Sequence, residues 1–221
     1  MPAPAACLFD LDGLLLDTEP LHARAWREAA DHFGTHLTAS QLQLLQGRRR
    51  NDCADQVLAW ILAARQCCPS RDDLLAVRQP IAEALLACAP AMPGAEALVR
   101  RCARLAIPMA LATSSSRAAV AHKALPHPWL ALIQVRVHGD DPGLRAGKPE
   151  PDVYRLAAQR LGVDPHACWA FEDSAAGAQA AAAAGCRVHV LRSPATPVTG
   201  SAGFPAEAIW LDRLDAVNLG L

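Results

Sequence analysis

Apolar residues along this chain gather in short runs separated by turn formers, and two periodicities alternate. Five runs, Pro4–Phe9, Pro108–Ala112, Leu132–Val137, Cys168–Phe171 and Arg187–Leu191, have strand length and read as strands. Four of them are followed by a helical pattern, the alternation of a parallel sheet with helices on both faces. After the fourth, Ser174 can cap a helix through the alanine-rich stretch 175–184, which Gly185 ends. So many alanines suit a helix whose small-residue face packs close to the sheet.

The alternation breaks between the first and second strands, where residues 15–91 show no strand pattern. Leu21, Ala25, Ala29 and Phe33 recur every four residues, as on one face of an amphipathic helix. Further helical stretches follow at Leu42–Leu45, Asp52–Ala64 and Arg71–Ala87, with Pro69 and Pro90 as punctuation. The turn Met92-Pro93-Gly94 then returns the chain to the sheet. The predicted layout is an α/β core, Rossmann-like with a parallel sheet, made of residues 1–14 and 92–221. An all-helical cap of residues 15–91 is inserted into it.

Composition narrows the classes. Of 221 residues, 52% are hydrophobic and 19% charged, enough for a buried core. Lys+Arg of 21 against Asp+Glu of 22 leaves a net charge of −1, with no long-range attraction for nucleic acid or anionic membrane. Every apolar run is cut by charge, proline or glycine well before the ~20 residues of a membrane span. The start MPAPAACLFDLDG lacks the basic region of a secretory signal. Cysteines at 7, 53, 67, 68, 88, 102, 168 and 186 have no CxxC spacing and read as buried small hydrophobes in a reducing cytoplasm. Of the 21 basic residues only Lys123 and Lys148 are lysines. A lysine in so arginine-rich a chain marks a position where a compact charge is needed.

In open parallel sheets ligands sit beyond the carboxyl ends of the strands. The first strand ends in Asp10-Leu11-Asp12-Gly13, the second in Thr113-Ser114-Ser115-Ser116-Arg117, and the fourth in Glu172-Asp173-Ser174. The loop after the third carries Gly147-Lys148-Pro149. Each piece alone has a duller reading: a turn, a helix cap or a solvated loop. Four in order, each after a predicted strand, reverse that. Asp10 and Asp12, two apart, would point the same way in an extended chain. Asp10, Asp12, Glu172 and Asp173 brought together without a cation would repel. A bound divalent ion resolves this, and oxygen ligands alone favour Mg²⁺ over Zn²⁺. Thr113, the N–H groups of Ser114 and Ser115, and Lys148 would hold a phosphate. Asp10 is then the nucleophile that forms an aspartyl-phosphate, and Asp12 the acid and later the base.

These residues resemble the motifs of the haloacid dehalogenase superfamily, in the branch with a helical cap. Phe9-Asp10-Leu11-Asp12-Gly13 resembles the first motif, Thr113 the second, Lys148 within GKPEPDVY the third, and Glu172-Asp173 within FEDSAAG the fourth. The resemblance spans essentially the whole chain. It implies a magnesium site of Asp10, the backbone carbonyl of Asp12, Asp173 and Glu172. Dehalogenases of the superfamily lack the second aspartate, and its phosphonate-cleaving members use a cap lysine; Asp12 is present here and residues 15–91 contain no lysine. Phosphatase and phosphoglucomutase chemistry remain.

Asp17-Thr18-Glu19-Pro20-Leu21-His22 resembles the family's hinge and first cap helix, from which His22 could approach the substrate. Arg50, after Gly47, falls where β-phosphoglucomutase-like members place an arginine that grips a second phosphate, so an anionic distal group on the substrate is expected. Gly139-Asp140-Asp141-Pro142, MPGAEALV and PMALATSS are similar to pseudouridine 5′-phosphatase-like members, the first also to glycerol-phosphate phosphatase-like ones. A Mg²⁺-dependent phosphatase of a sugar phosphate or nucleoside monophosphate is therefore expected. The chain is expected to be cytoplasmic, a monomer or weak dimer, without nucleic-acid or membrane partners. A phosphoglucomutase-type isomerase and a regulatory protein that kept the fold are the alternatives.

Overall fold

The computed structural model describes residues 3–64, 68–192 and 203–220. In chain order the elements are β1 (Ala6–Phe9), α1 (Glu19–His32), α2 (Ala39–Gln43), α3 (Arg50–Ala63), α4 (Arg71–Leu86) and α5 (Ala95–Arg104). Then follow β2 (Met109–Ala112), α6 (Arg117–Ala124), β3 (Val135–Val137), α7 (Asp152–Leu161), β4 (Cys168–Glu172), α8 (Ala175–Ala184), β5 (Arg187–Leu191) and β6 (Ile209–Leu211). The six strands form one sheet in the order β3-β2-β1-β4-β5-β6, every pairing parallel. The fold is the expected α/β one with a Rossmann-like parallel sheet.

Both faces of the central strand are buried. Cys7 and Phe9 of β1 pack with Leu98, Val99 and Cys102 of α5, while Ala6 and Leu8 pack with α7 and α8. On α8, Gly177, Ala178, Ala180, Ala181 and Ala184 are buried, so the alanine run is the close-packed helix its composition suggests. Ser174 caps it by accepting from the Gly177 N–H, and Gly185 ends it at φ +97°. Between β1 and α5 the elements are helical. Trp26, Ala29 and Ala30 of α1 share an apolar cluster with Leu42, Val57, Ile61 and Leu74, separate from those against the sheet. The chain enters and leaves this helical stretch along one antiparallel crossing, Leu16 opposite Ala91.

Several sequence expectations shift. The strand expected over Leu132–Val137 is only Val135–Val137, preceded by a 3₁₀ turn at Pro128–Leu132. The Arg136 guanidinium reaches back to the Ile133 and Leu130 carbonyls and holds that turn closed. Helix α2 starts earlier than expected, because Thr38 and Gln41 form a reciprocal capping box. Phe33, expected on the α1 face, is its C-cap. β6 carried no long apolar run and went unread. Of the cysteines, Cys7, Cys53, Cys102, Cys168 and Cys186 are buried as expected, but Cys68 and Cys88 are exposed. Cys67 lies outside the described residues. No helix among the described residues is long and apolar enough to cross a membrane.

His189 on β5 is 3% exposed, stacked on Phe171 and tilted against Trp169 with ring centroids 4.9 and 4.8 Å away. Burial pulls its pKa from 6.5 down to about 4. The unfolded chain therefore takes up a proton that the folded chain refuses, and stability is lost as pH falls from about 6.5 towards 4. Between pH 8 and pH 5 the wild type should lose about 2 kcal/mol more than His189→Phe, read from urea unfolding midpoints. Equal losses would show that another group sets the acid limb.

Candidate active site

The strand order reverses between β1 and β4, so the connections leaving these two neighbours run to opposite sides and a crevice opens outside their carboxyl ends. The residues following both ends carry the chemistry. β1 ends at Phe9, so Asp10 and Asp12 stand in the loop beyond it, and β4 ends at Glu172 with Asp173 next. Two close approaches make room for them. Gly13 sits at φ +81°, and a Cβ there would lie 2.0 Å from Asp173 Oδ2. A Cβ on Gly177 would lie 1.9 Å from Glu172 Oε1.

Lys148 is buried and donates to Asp10 Oδ1 at 2.6 Å and Glu172 Oε1 at 2.5 Å. The Tyr154 hydroxyl donates to the same Glu172 oxygen at 2.5 Å. The other Glu172 oxygen accepts from the Asp173 and Ser174 N–H groups and from the Ser174 hydroxyl. Burial pushes the Asp10 carboxyl up to about 7, against the pull of Lys148. Burial, then Glu19 and Glu172, hold the Asp173 carboxyl far above the usual range. Glu19, the first residue of α1, is pushed up to about 8 by burial and by Asp12 and Asp10.

Asp10, Glu172 and Asp173 can each offer an oxygen within 4.8 Å of the others. Asp173 Oδ1 is buried without a hydrogen-bond partner. All donors are carboxylate oxygens, and burial raises the carboxyls of Asp10 and Asp173 against the pull of Lys148. This set fits a hard divalent cation. The Asp12 carboxylate is not part of it.

Asp12 has a different set of partners. Its Oδ1 accepts from Thr18 Oγ1 at 2.7 Å and pairs with His22 Nε2 at 3.3 Å, and its Oδ2 accepts from Ser115 Oγ at 2.7 Å. Lys123 Nζ lies 2.5 and 2.6 Å from the two oxygens. Burial alone would raise the Asp12 carboxyl, but Lys123 and then His22 hold it well below the carboxylate range. Asp10 and Asp12 both line the crevice, as their spacing suggests, but each takes its own lysine. Arg78 Nη2 donates to His22 Nδ1 at 2.8 Å, and a guanidinium can only donate. His22 therefore carries its proton on Nε2 and gives it to Asp12; burial lowers its pKa and favours this neutral form.

Thr113 is buried at the end of β2, accepting from the Ser115 N–H at 3.1 Å. Ser114 donates its hydroxyl to the Gly47 carbonyl at 2.8 Å, so that hydroxyl fastens the loop before α3. Arg49 donates to the Ala146 carbonyl, also at 2.8 Å. Arg50, the first residue of α3, is exposed and reaches Gln79 of α4 at 3.3 Å. The buried arginine of this helical layer is Arg78, lying on Trp26, with its Nε unpartnered. Asp10, Asp12, His22, Arg50, Arg78, Thr113, Ser115 and Asp173 all line one cavity of 1440 Å³ between the sheet edge and the helices above. Asp140, at the cavity wall, accepts from the Arg117 N–H, and Asp141 accepts from Gly143 and Arg160.

Reading the sequence missed Glu19, Lys123, Tyr154 and Arg78 as members of the site. Lys123 had a signal, being one of only two lysines. Glu19 and Tyr154 stand beside quoted motifs, inside DTEPLH and GKPEPDVY. Arg78 had none, since only the fold turns that face of α4 towards the cavity.

A family model described as a haloacid dehalogenase-like hydrolase matches residues 4–185. A probable pseudouridine-5′-phosphatase of Drosophila melanogaster is 34% identical over 199 residues, covering 85% of this chain and 81% of that protein. A fructose-1-phosphate phosphatase of Escherichia coli K12 is 34% identical over 191 residues, covering 82% of this chain and 93% of that protein. Among solved structures, a mutant CbbY of Rhodobacter sphaeroides in complex with xylulose-(1,5)bisphosphate superposes with a TM-score of 0.78 at 28% identity, covering 96% of each chain.

The close approach at Gly177 yields a test. Gly177→Ala should push Glu172 off its donors and lower unfolding stability by about 1–3 kcal/mol, although alanine is the better helix former. A thermal midpoint equal to or above the wild type's would show that Glu172 has room to move.

Proposed function

The chain belongs to the haloacid dehalogenase-like hydrolases, and from that premise we propose that it hydrolyses a small phosphorylated metabolite, a sugar phosphate or nucleoside monophosphate, through an aspartyl-phosphate on Asp10. Its relatives are phosphatases, and the enzyme is a phosphoric monoester hydrolase. The carrying observation is the ring of Asp10, Lys148, Glu172 and Asp173 at the β1–β4 crevice, with Asp12 held apart beside it.

One Asp10 carboxylate oxygen attacks phosphorus and the bond to the substrate oxygen breaks; Asp12, ionised beside Lys123 until the anionic substrate raises its pKa and it takes up a proton, delivers that proton to the leaving oxygen. A water then attacks the phosphoryl group of Asp10 while Asp12 accepts its proton. Inorganic phosphate leaves and both aspartates are restored. Lys148 neutralises charge on Asp10 and on the transferring oxygens. Mg²⁺ would be held by Asp10, Asp173, the backbone carbonyl of Asp12 and Glu172, the last giving up one of its present donors. When bound it would supply further positive charge at the phosphoryl oxygens. Thr113 and the N–H groups of Ser114 and Ser115 would grip the phosphate.

Residues 15–91 act in this reading as a cap over residues 1–14 and 92–221, excluding water from the crevice. Arg50 at the cavity rim and His22 at its wall would meet the rest of the substrate. The seven free thiols among the described residues suit a reducing cytoplasm.

Asp10→Asn should lower phosphate release from p-nitrophenyl phosphate with Mg²⁺ by at least about 10³-fold, and a chelator should abolish wild-type release. Full activity in that variant would remove Asp10 as nucleophile. Incubation with glucose 1-phosphate and a trace of glucose 1,6-bisphosphate should yield free phosphate; glucose 6-phosphate instead would make the enzyme a mutase. A panel of phosphorylated metabolites would then rank substrates.

A further inference from the structure

Arginine fills 19 of the 21 basic positions in this chain, so the two lysines stand out. Lys148 lies in the ring around the nucleophile. Lys123 lies in the last turn of α6, on the other side of the second aspartate. Its side chain is 1% exposed, and its stem runs back along the helix towards Ser115, as helical side chains lean. The ammonium touches both Asp12 oxygens and, at 2.8 Å, Ser115 Oγ. Three donors meet three acceptors.

Asp12 is otherwise held by Thr18 and His22, at the start of the helical layer, and by Ser115. Thr18 and His22 belong to the start of residues 15–91. Lys123 belongs to the helix following β2 and supplies the charged contact from the sheet side. A carboxylate that must first give a proton to a leaving oxygen and then take one from water has to keep its place between the two steps. A hydroxyl or a neutral imidazole alone would let it swing towards any nearby cation. A compact ammonium fits this space; a planar guanidinium carries its donors on a wider fork and would not place them on two oxygens of one carboxylate and a neighbouring hydroxyl together.

We propose that Lys123 is a positioning residue for the acid–base carboxylate, acting through Asp12 and not on the phosphate. This rests on the phosphatase reading above. The same helix carries His122, whose Nε2 is paired with the Glu83 carbonyl on α4 at 3.0 Å, so α6 contacts the helical layer one residue before it holds Asp12.

The test compares wild type, Lys123→Met, Lys123→Gln, Lys123→Arg, Asp12→Asn and the double variant Asp12→Asn/Lys123→Met, all with Mg²⁺. Two substrates are used, p-nitrophenyl phosphate, whose leaving group departs without a proton, and fructose 1-phosphate, whose alkoxide needs one. Lys123→Met should lower kcat/KM for fructose 1-phosphate by about 10²-fold or more, and for p-nitrophenyl phosphate by far less. KM should stay within about threefold, and Lys123→Arg should recover only part of the loss. In the Asp12→Asn background the lysine substitution should cost nothing further, because the group it positions is gone.

A raised KM with kcat unchanged would make Lys123 a direct phosphate ligand. An equal cost with and without Asp12, or equal losses on both substrates, would leave it a structural residue. Either result overturns the proposal. Should Lys123→Met not fold, Lys123→Gln carries the same comparison. Wild type inactive on both substrates and on the metabolite panel would instead overturn the phosphatase reading itself.

Discussion

Five carboxyl groups, of Asp10, Asp12, Glu19, Glu172 and Asp173, crowd the carboxyl ends of two neighbouring strands. Each is taken largely out of water, and their mutual repulsion would lift every pKa if nothing opposed it. Two ammonium groups oppose it. Lys123 holds Asp12 ionised, whereas Lys148, shared between Asp10 and Glu172, leaves Asp10 near 7 and Asp173 well above the usual carboxylate range. The deficit sits on one side of the cluster, around the unpartnered oxygen of Asp173. That imbalance gives the two aspartates of one motif opposite characters a few residues apart. One side waits for a cation and an electrophile, and the other already has its charge balanced by its own lysine.

The surrounding fold serves this crowding. Strand β1 sits at the sheet's centre, paired on both edges, so the loop carrying both aspartates leaves a rigid support. The glycine after Asp12 and the glycine in the first turn of α8 let the carboxylates of Asp173 and Glu172 approach the backbone more closely than any side chain would permit. The alanine-rich helix packs flush behind β4 and β5, and Ser174 both caps it and donates to Glu172.

Much of this was legible in the sequence because local rules and tertiary demands agree there. The strand runs, the alanine helix with its serine cap and glycine stop, and the four motif segments each obey short-range chemistry, and the sheet order brings them together. What was not legible depends on long-range placement. β6 is three residues long and gains its identity only by pairing with β5. Arg78 reads as one more polar residue of an amphipathic helix until Trp26 and His22 are laid against it. Lys123 was visible as a rarity but not as a partner, since 111 residues separate it from Asp12. Of arginines 48–50 the sequence suggested a role only for Arg50, and the fold gives Arg49 a different one. Arg49 ties to the sheet domain's loop at Ala146, and Arg50 stays exposed against Gln79.

The loop from Gly47 to Arg49 is fastened to the opposite side of the cavity at two points, Ser114 to the Gly47 carbonyl and Arg49 to the Ala146 carbonyl. Both bonds end on main-chain carbonyls and neither joins two full charges. Dissolved ions screen charge pairs far more than they weaken bonds to carbonyl dipoles. The loop's grip across the cavity mouth is thus nearly indifferent to ionic strength.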